Sequence, residues 1–105
     1  MKKELFYLKI RQTEKEYLVS VCDQNLLGKT ITSDDLELCV NERFFAGDLV
    51  TIEKCFEEIM KATSCNLIGK IIINEAIKNR IINEKSVMWL NCPKIGKVGH
   101  AMLIR

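Results

Sequence analysis

Three residues of this 105-residue chain have side chains from which a nucleophilic site could be assembled: Cys22, Asp23 and the single histidine, His100. Cys22 and Asp23 are neighbours in the stretch "SVCDQNLLGKTI", and His100 stands in "VGHAML". A reactive thiol needs a cation, a helix N-terminus or a base beside it, because only the thiolate attacks. If the strand carrying His100 pairs near the strand carrying Cys22, the imidazole becomes that base. Asp23 would then orient the ring, as in a Cys-His-Asp arrangement. The plainer alternative, and the preferred one, is that Cys22 packs at a strand end and His100 caps a loop. The same three side chains would be the best available metal ligands, but one histidine with scattered acids and thiols is poor material for a metal. The reading is therefore no metal and no cofactor.

The other motifs are weaker. Gly28-Lys29-Thr30 matches the end of a phosphate-binding loop of the form GxxxxGK[ST], but Asp23 stands where the first glycine is required. That loop works by ringing a phosphate with backbone N–H groups, so Gly28 is assigned to a turn and Lys29 to solvent. The five cysteines form no CxxC pair, the spacing by which one tight turn offers a zinc ion two thiolates. Cys39 and Cys55 fall at apolar positions of a strand and a helix and read as reduced, buried small hydrophobes.

The bulk numbers bound the class. One domain spanning residues 1–105 is expected from the length, with 48% hydrophobic and 29% charged residues, one proline and no repeat. "MKKELFYLKI" starts basic, but its apolar run is short and broken by Lys9. No leader or membrane span is expected, and a cytoplasmic location is. The net charge of +2 is uneven: residues 1–69 balance to −3 and residues 70–105 to +5. Lys70, Lys78, Arg80, Lys85, Lys94, Lys97 and Arg105 make the C-terminal third a candidate basic face. Trp89 within it could stack a base. Scattered solubilising lysines are the competing explanation.

Elements must position these residues. "LFYLKI" and "YLVSV" read as an antiparallel hairpin, with Leu18, Ser20 and Cys22 on one side and Tyr17, Val19 and Val21 on the other. "LELCV" reads as a third strand. Phe44 and Phe45 are adjacent, so only one can face the core and the other is free for a partner. "TIEKCFEEIMKAT" is a helix with Thr51 as its N-cap and Ile52, Cys55, Phe56, Ile59 and Met60 as its buried stripe. "LIGKIIINEAIKNRI" reads as a second helix capped by Asn66 or Ser64. Its "KIIIN" run has strong strand propensity, but the length favours a helix. "SVMWL" and "HAMLI" are the last strands. The expected fold is α+β: a mainly antiparallel sheet of about five strands with two helices on one face, in the order βββααββ.

"VSVCDQNLLGKTI", "FFAGDLV", "KATSCNLIGKIIINEAIKNRII" and "VGHAML" occur in the order seen in a small archaeal family, domain-of-unknown-function family 424, which this chain resembles over about residues 5–103. Where the family has proline before the "HA" pair, this chain has Gly99. The resemblance implies an archaeal, cytoplasmic α+β domain with a link to translation or ribosome assembly. It singles out Cys22, Asp23, Gly28, Lys29, Asn66, Gly69 and His100. The functional expectation is a non-enzymatic accessory factor that binds RNA or a translation or ribosome-assembly protein, through Gly28, Lys29, Asn66, Gly69, Lys94 and Lys97. The alternatives are a small enzyme using Cys22 with His100, and a structural subunit with Phe44 or Phe45 at its interface.

Overall fold

A computed structural model describes residues 4–104. The expected hairpin is present: β1 (Phe6–Gln12) and β2 (Tyr17–Asp23) pair antiparallel, with Tyr7 opposite Cys22 and Leu8 opposite Val21. A second hairpin follows from β3 (Thr30–Ser33) and β4 (Leu36–Cys39). The short helix α1 (Glu42–Phe45), the edge strand β5 (Asp48–Val50) and the helix α2 (Ile52–Lys61) come next. The chain then runs through β6 (Ser64–Gly69), α3 (Ile71–Lys78), β7 (Met88–Cys92) and β8 (Gly96–Ile104). Six strands form one mixed sheet in the order β5-β1-β2-β6-β8-β7, and β3 and β4 stand apart as a two-stranded sheet.

The α+β class holds, while strand number and order differ from expectation. The segment "SCNLIG" supplies neither the cap nor the first turn of the second helix. It is β6, which lies parallel to β2 and antiparallel to β8 in the middle of the sheet. A strand buried on both faces loses the alternation that marks an exposed one, so "LIGKIII" looked like one continuous apolar helix. Asn66 and Ser64 are accordingly strand residues and cap nothing.

The two faces of the sheet are covered differently. Helices α2 and α3 lie on the first, where Phe6, Leu8, Val19, Val21, Cys65, Leu67 and Ala101 meet Cys55, Ile59, Ile72, Ile73 and Ala76. The second face carries a smaller core. There Cys22, Ile68, Leu90 and Val98 are roofed by Leu26, Ile31, Val40 and Phe45 from the 24–27 turn, the β3–β4 hairpin and α1. Thr51 caps α2 as expected, its hydroxyl accepting from the Lys54 N–H at 3.4 Å. Met60 departs from the buried stripe and is 66% exposed. It sits about 90° round the helix from the stripe centre, at roughly 100° per residue.

Glu58 is a buried residue of α2 and accepts a hydrogen bond from the Tyr17 hydroxyl. Lys54 and Lys61 lie 3.1 Å and 3.4 Å from its other oxygen. The Tyr17 hydrogen bond, followed by Lys54, holds its carboxyl down at about 2. A depressed carboxylate contributes stability that is complete above its unfolded value of about 4.3. That contribution is lost as pH falls toward about 2. Acid unfolding should therefore shift to higher pH in Tyr17→Phe, with a neutral-pH loss of about 1–2 kcal/mol, measured by denaturant titration at pH 7 and pH 3.

Candidate functional site: a cationic cleft on the second sheet face

Cross-strand registers arrange the second face as a grid. Tyr7, Cys22, Ile68, His100 and Met88 form one row, because each is the partner of the next. Lys9, Ser20, Asn66 and Met102 form the row below it. Cys22 and His100 thus share a face but stand two strands apart with Ile68 between them. At about 4.8 Å per strand spacing that is roughly 10 Å, three times the reach of a hydrogen bond. Cys22 is fully buried in the second core. Burial, and secondarily the neighbouring Asp23, pushes its thiol up to about 12. This is an inert packing cysteine.

Asp23 has a different task. It ends β2 pointing to the first face, where its carboxylate accepts from the N–H groups of Lys70, Ile71 and Ile72 at 2.8, 2.9 and 2.9 Å. It therefore caps α3 from 47 to 49 residues upstream. The carboxylate occupies the place at the C-terminal ends of the parallel strands β2 and β6 where an anion would sit on a helix N-terminus. Gly69 makes this possible. With φ at +150°, a Cβ there would lie 2.4 Å from the Asp23 carboxyl carbon. The alternative couple of Cys22, Asp23 and His100 is not formed, and the three could not ligate one metal. Among the described residues no three His, Cys, Asp or Glu side chains converge as a metal site requires.

The loop residues of the opening motif are structural as well. Gly28 turns the chain at φ +81° and its N–H donates to the Val40 carbonyl at 2.8 Å, while Lys29 is exposed. The basic residues of the C-terminal third do not gather on one surface. Lys70 and Lys97 line a depression of about 590 Å³ at the α3 N-terminus, Lys78 and Arg80 lie at the other end of α3, and Lys85 lies in a turn before β7. Lys94 is in the β7–β8 turn. Arg105 lies outside the described residues. Trp89 packs on the helix side next to Gly99, and the Lys97 ammonium sits 4.5 Å from its ring centre. It is not an open stacking platform.

Polar chemistry converges instead where the roof of the second face stops short. A cleft of about 330 Å³ opens between the sheet and the β4–α1 segment. The sheet supplies Arg11, Asn66, Ile68 and His100, and the roof supplies Leu38, Cys39, Asn41, Arg43, Phe44 and Phe45. Phe45 is the core anchor, 5% exposed, whereas Phe44 is 42% exposed and meets Phe45 edge-on at 5.3 Å. One of the two does face outward, as expected, although the segment is helical. The Asn41 side chain fixes this turn by accepting from the Arg43 N–H at 2.7 Å. A smaller dimple alongside joins Lys9 to Arg11 and Arg43. No carboxylate lines either hollow.

Asn66 and His100 are the two sequence-selected residues that the fold does bring together. They lie diagonally on adjacent strands, with His100 Nε2 at 2.8 Å from Asn66 Oδ1. In this amide orientation Oδ1 only accepts, so Nε2 carries the proton and Nδ1 is an acceptor. The Asn66 amide nitrogen keeps two donors. Half-buried His100 has its pKa lowered by desolvation and is neutral at pH 7. Sequence reasoning missed Arg11, Arg43 and Cys39. Arg11 was legible as the strand partner of Lys9, in phase with it and out of phase with Phe6 and Leu8. Cys39 was read as a core residue; it is exposed at the cleft, because β4 is a roof strand with one open face.

The comparisons with known proteins agree with this architecture. The chain superposes on the crystal structure of an uncharacterized conserved protein from Methanopyrus kandleri with a TM-score of 0.73 and 19% identity, over 94% of this chain and 90% of that one. At that identity the likeness shows the fold. A search of curated proteins gives no match. No helix among the described residues is long and apolar enough to cross a membrane. The model of the family described as a protein of unknown function, DUF424, matches residues 10–101, and the chain belongs to that family.

Proposed function

We propose that this protein is a non-enzymatic binding module that takes single-stranded RNA on the second face of its sheet. The carrying observation is the cleft itself: two guanidinium groups, an outward aromatic ring and an amide–imidazole pair, with no carboxylate among them. Arginines neutralise phosphates, aromatic rings accept stacked bases, and amide or imidazole groups read base edges. The cleft's imidazole is already engaged by an amide. The setting in translation or ribosome assembly follows the family resemblance of the sequence.

Fluorescence anisotropy with a labelled single-stranded oligoribonucleotide tests this. Binding should weaken as salt rises, with a log–log slope near −0.7 per neutralised phosphate. Replacing Arg11 and Arg43 together by alanine should flatten the slope by about 1.4 on the same relation. A protein showing no RNA binding at low salt would leave the second reading, a protein partner. That reading is favoured by Met88, Met102 and Ile104, which are exposed on the same face beside the cleft.

A further inference from the structure

The cleft also has a size and an internal order. Its volume of about 330 Å³ is at the lower end of the range for small-ligand pockets, roughly 300–1,000 Å³. That is room for one nucleotide and not for a duplex. Its cationic part extends beyond its amide–imidazole part. Arg11 and Arg43 continue into the dimple with Lys9, and Phe44 borders both hollows. Asn66 and His100 belong to the larger hollow alone, above the apolar floor of Ile68 and Phe45.

We infer that the cleft is a subsite for a single unpaired nucleotide of an RNA strand. The inference rests on the RNA-binding reading above and adds where the strand is held and by what. The flanking phosphate lies on Arg11 and Arg43, the base stacks against the outward face of Phe44, and its edge meets the Asn66 amide donors and His100. The Asn66–His100 hydrogen bond fixes the imidazole tautomer and turns the amide donors free for the ligand. An acceptor on the base, such as a ring carbonyl oxygen, is what those donors select. An all-cationic groove would need only phosphates; the half-buried neutral amide–imidazole pair specifies more than charge.

Cys39 supplies the readout. It lines the cleft and is the exposed member of the five cysteines, so its alkylation by iodoacetamide, followed by peptide mass mapping, reports occupancy. The full chain is titrated with uridine monophosphate, uridine, ribose 5-phosphate and a uridine octanucleotide, and octanucleotide affinity is read by anisotropy. The expected result is protection of Cys39 by the octanucleotide and, at higher concentration, by the monophosphate. Uridine and ribose phosphate should each protect at least tenfold less well, because each lacks one half of the contacts. Phe44→Leu keeps an apolar side chain on α1 without an aromatic face and should weaken octanucleotide binding about tenfold, in the range of one lost stacking contact. Asn66→Asp should weaken it by a similar factor by putting a carboxylate where donors stood. If the octanucleotide binds but leaves Cys39 unprotected and neither variant changes affinity, the subsite is wrong while RNA binding stands. If the octanucleotide does not bind at low salt, the RNA reading fails and the subsite falls with it.

Discussion

Asp23→Ala should cost this protein about 3 kcal/mol, which lowers the melting temperature of a domain this size by roughly 12–24 °C. The carboxylate satisfies three consecutive backbone N–H groups at the start of α3. Ile72 N–H is buried, so removing its acceptor leaves an orphan donor that water cannot easily reach. Asp23→Asn should fall between the two, since an amide has one acceptor oxygen and its N–H₂ faces other donors. Gly69→Ala should be comparably damaging, because its Cβ would overlap the carboxyl group and φ +150° disfavours a side chain. The two losses should not add. Once Asp23 is alanine, the volume around Gly69 is open, and the double variant should recover at least about 1 kcal/mol relative to the sum. Chemical denaturation of the four proteins closes the cycle. Additive losses would mean that the contact between Asp23 and Gly69 is not what constrains position 69.

The second large effect is on thiol reactivity. Cys39 should be alkylated in the folded protein within minutes at pH 8, while Cys22, Cys55 and Cys65 should react only on unfolding. All three of the latter are buried, and burial pushes Cys22 and Cys55 up to about 12. A thiol with that pKa is about one part in 10⁴ thiolate at pH 8, before steric exclusion is considered. Cys92 should come second. It is buried, but the N–H groups of Lys94 and then Ile95 face its sulfur and hold its pKa below the ordinary value. Those N–H groups favour its thiolate in the folded protein, whereas burial disfavours the thiolates of Cys22 and Cys55. Time-resolved peptide mapping gives the order directly. A fast-reacting Cys22 would contradict its placement in the second core and restore the nucleophile reading.

Several parts of this protein were legible from residue types and spacing alone. The first hairpin and the direction of each side chain in β2 followed from period-two alternation. The amphipathic α2 and its Thr51 cap followed from helical spacing and local cap chemistry. The split between Phe44 and Phe45 followed from their adjacency, and the DUF424 resemblance from short motifs kept in order. These are local properties, set by neighbours within a turn or two of the chain.

The tertiary structure decided the rest, because the determining partners are far apart in sequence. β6 reads as helix until β2 and β8 pair along its edges and the two cores cover its faces. Asp23 reads as a catalytic or turn residue until α3 brings its N–H groups 47–49 residues back along the chain. His100 finds Asn66 rather than Cys22, because the parallel pairing of β2 with β6 inserts Ile68 between thiol and ring. Arg11 and Arg43 lie 32 residues apart in the chain, and only the folding of α1 over β1 and β2 makes them one cationic surface. Periodicity reports which face of an element is buried. It carries no information about which strand lies next to it, and here strand order decides which side chains share a site.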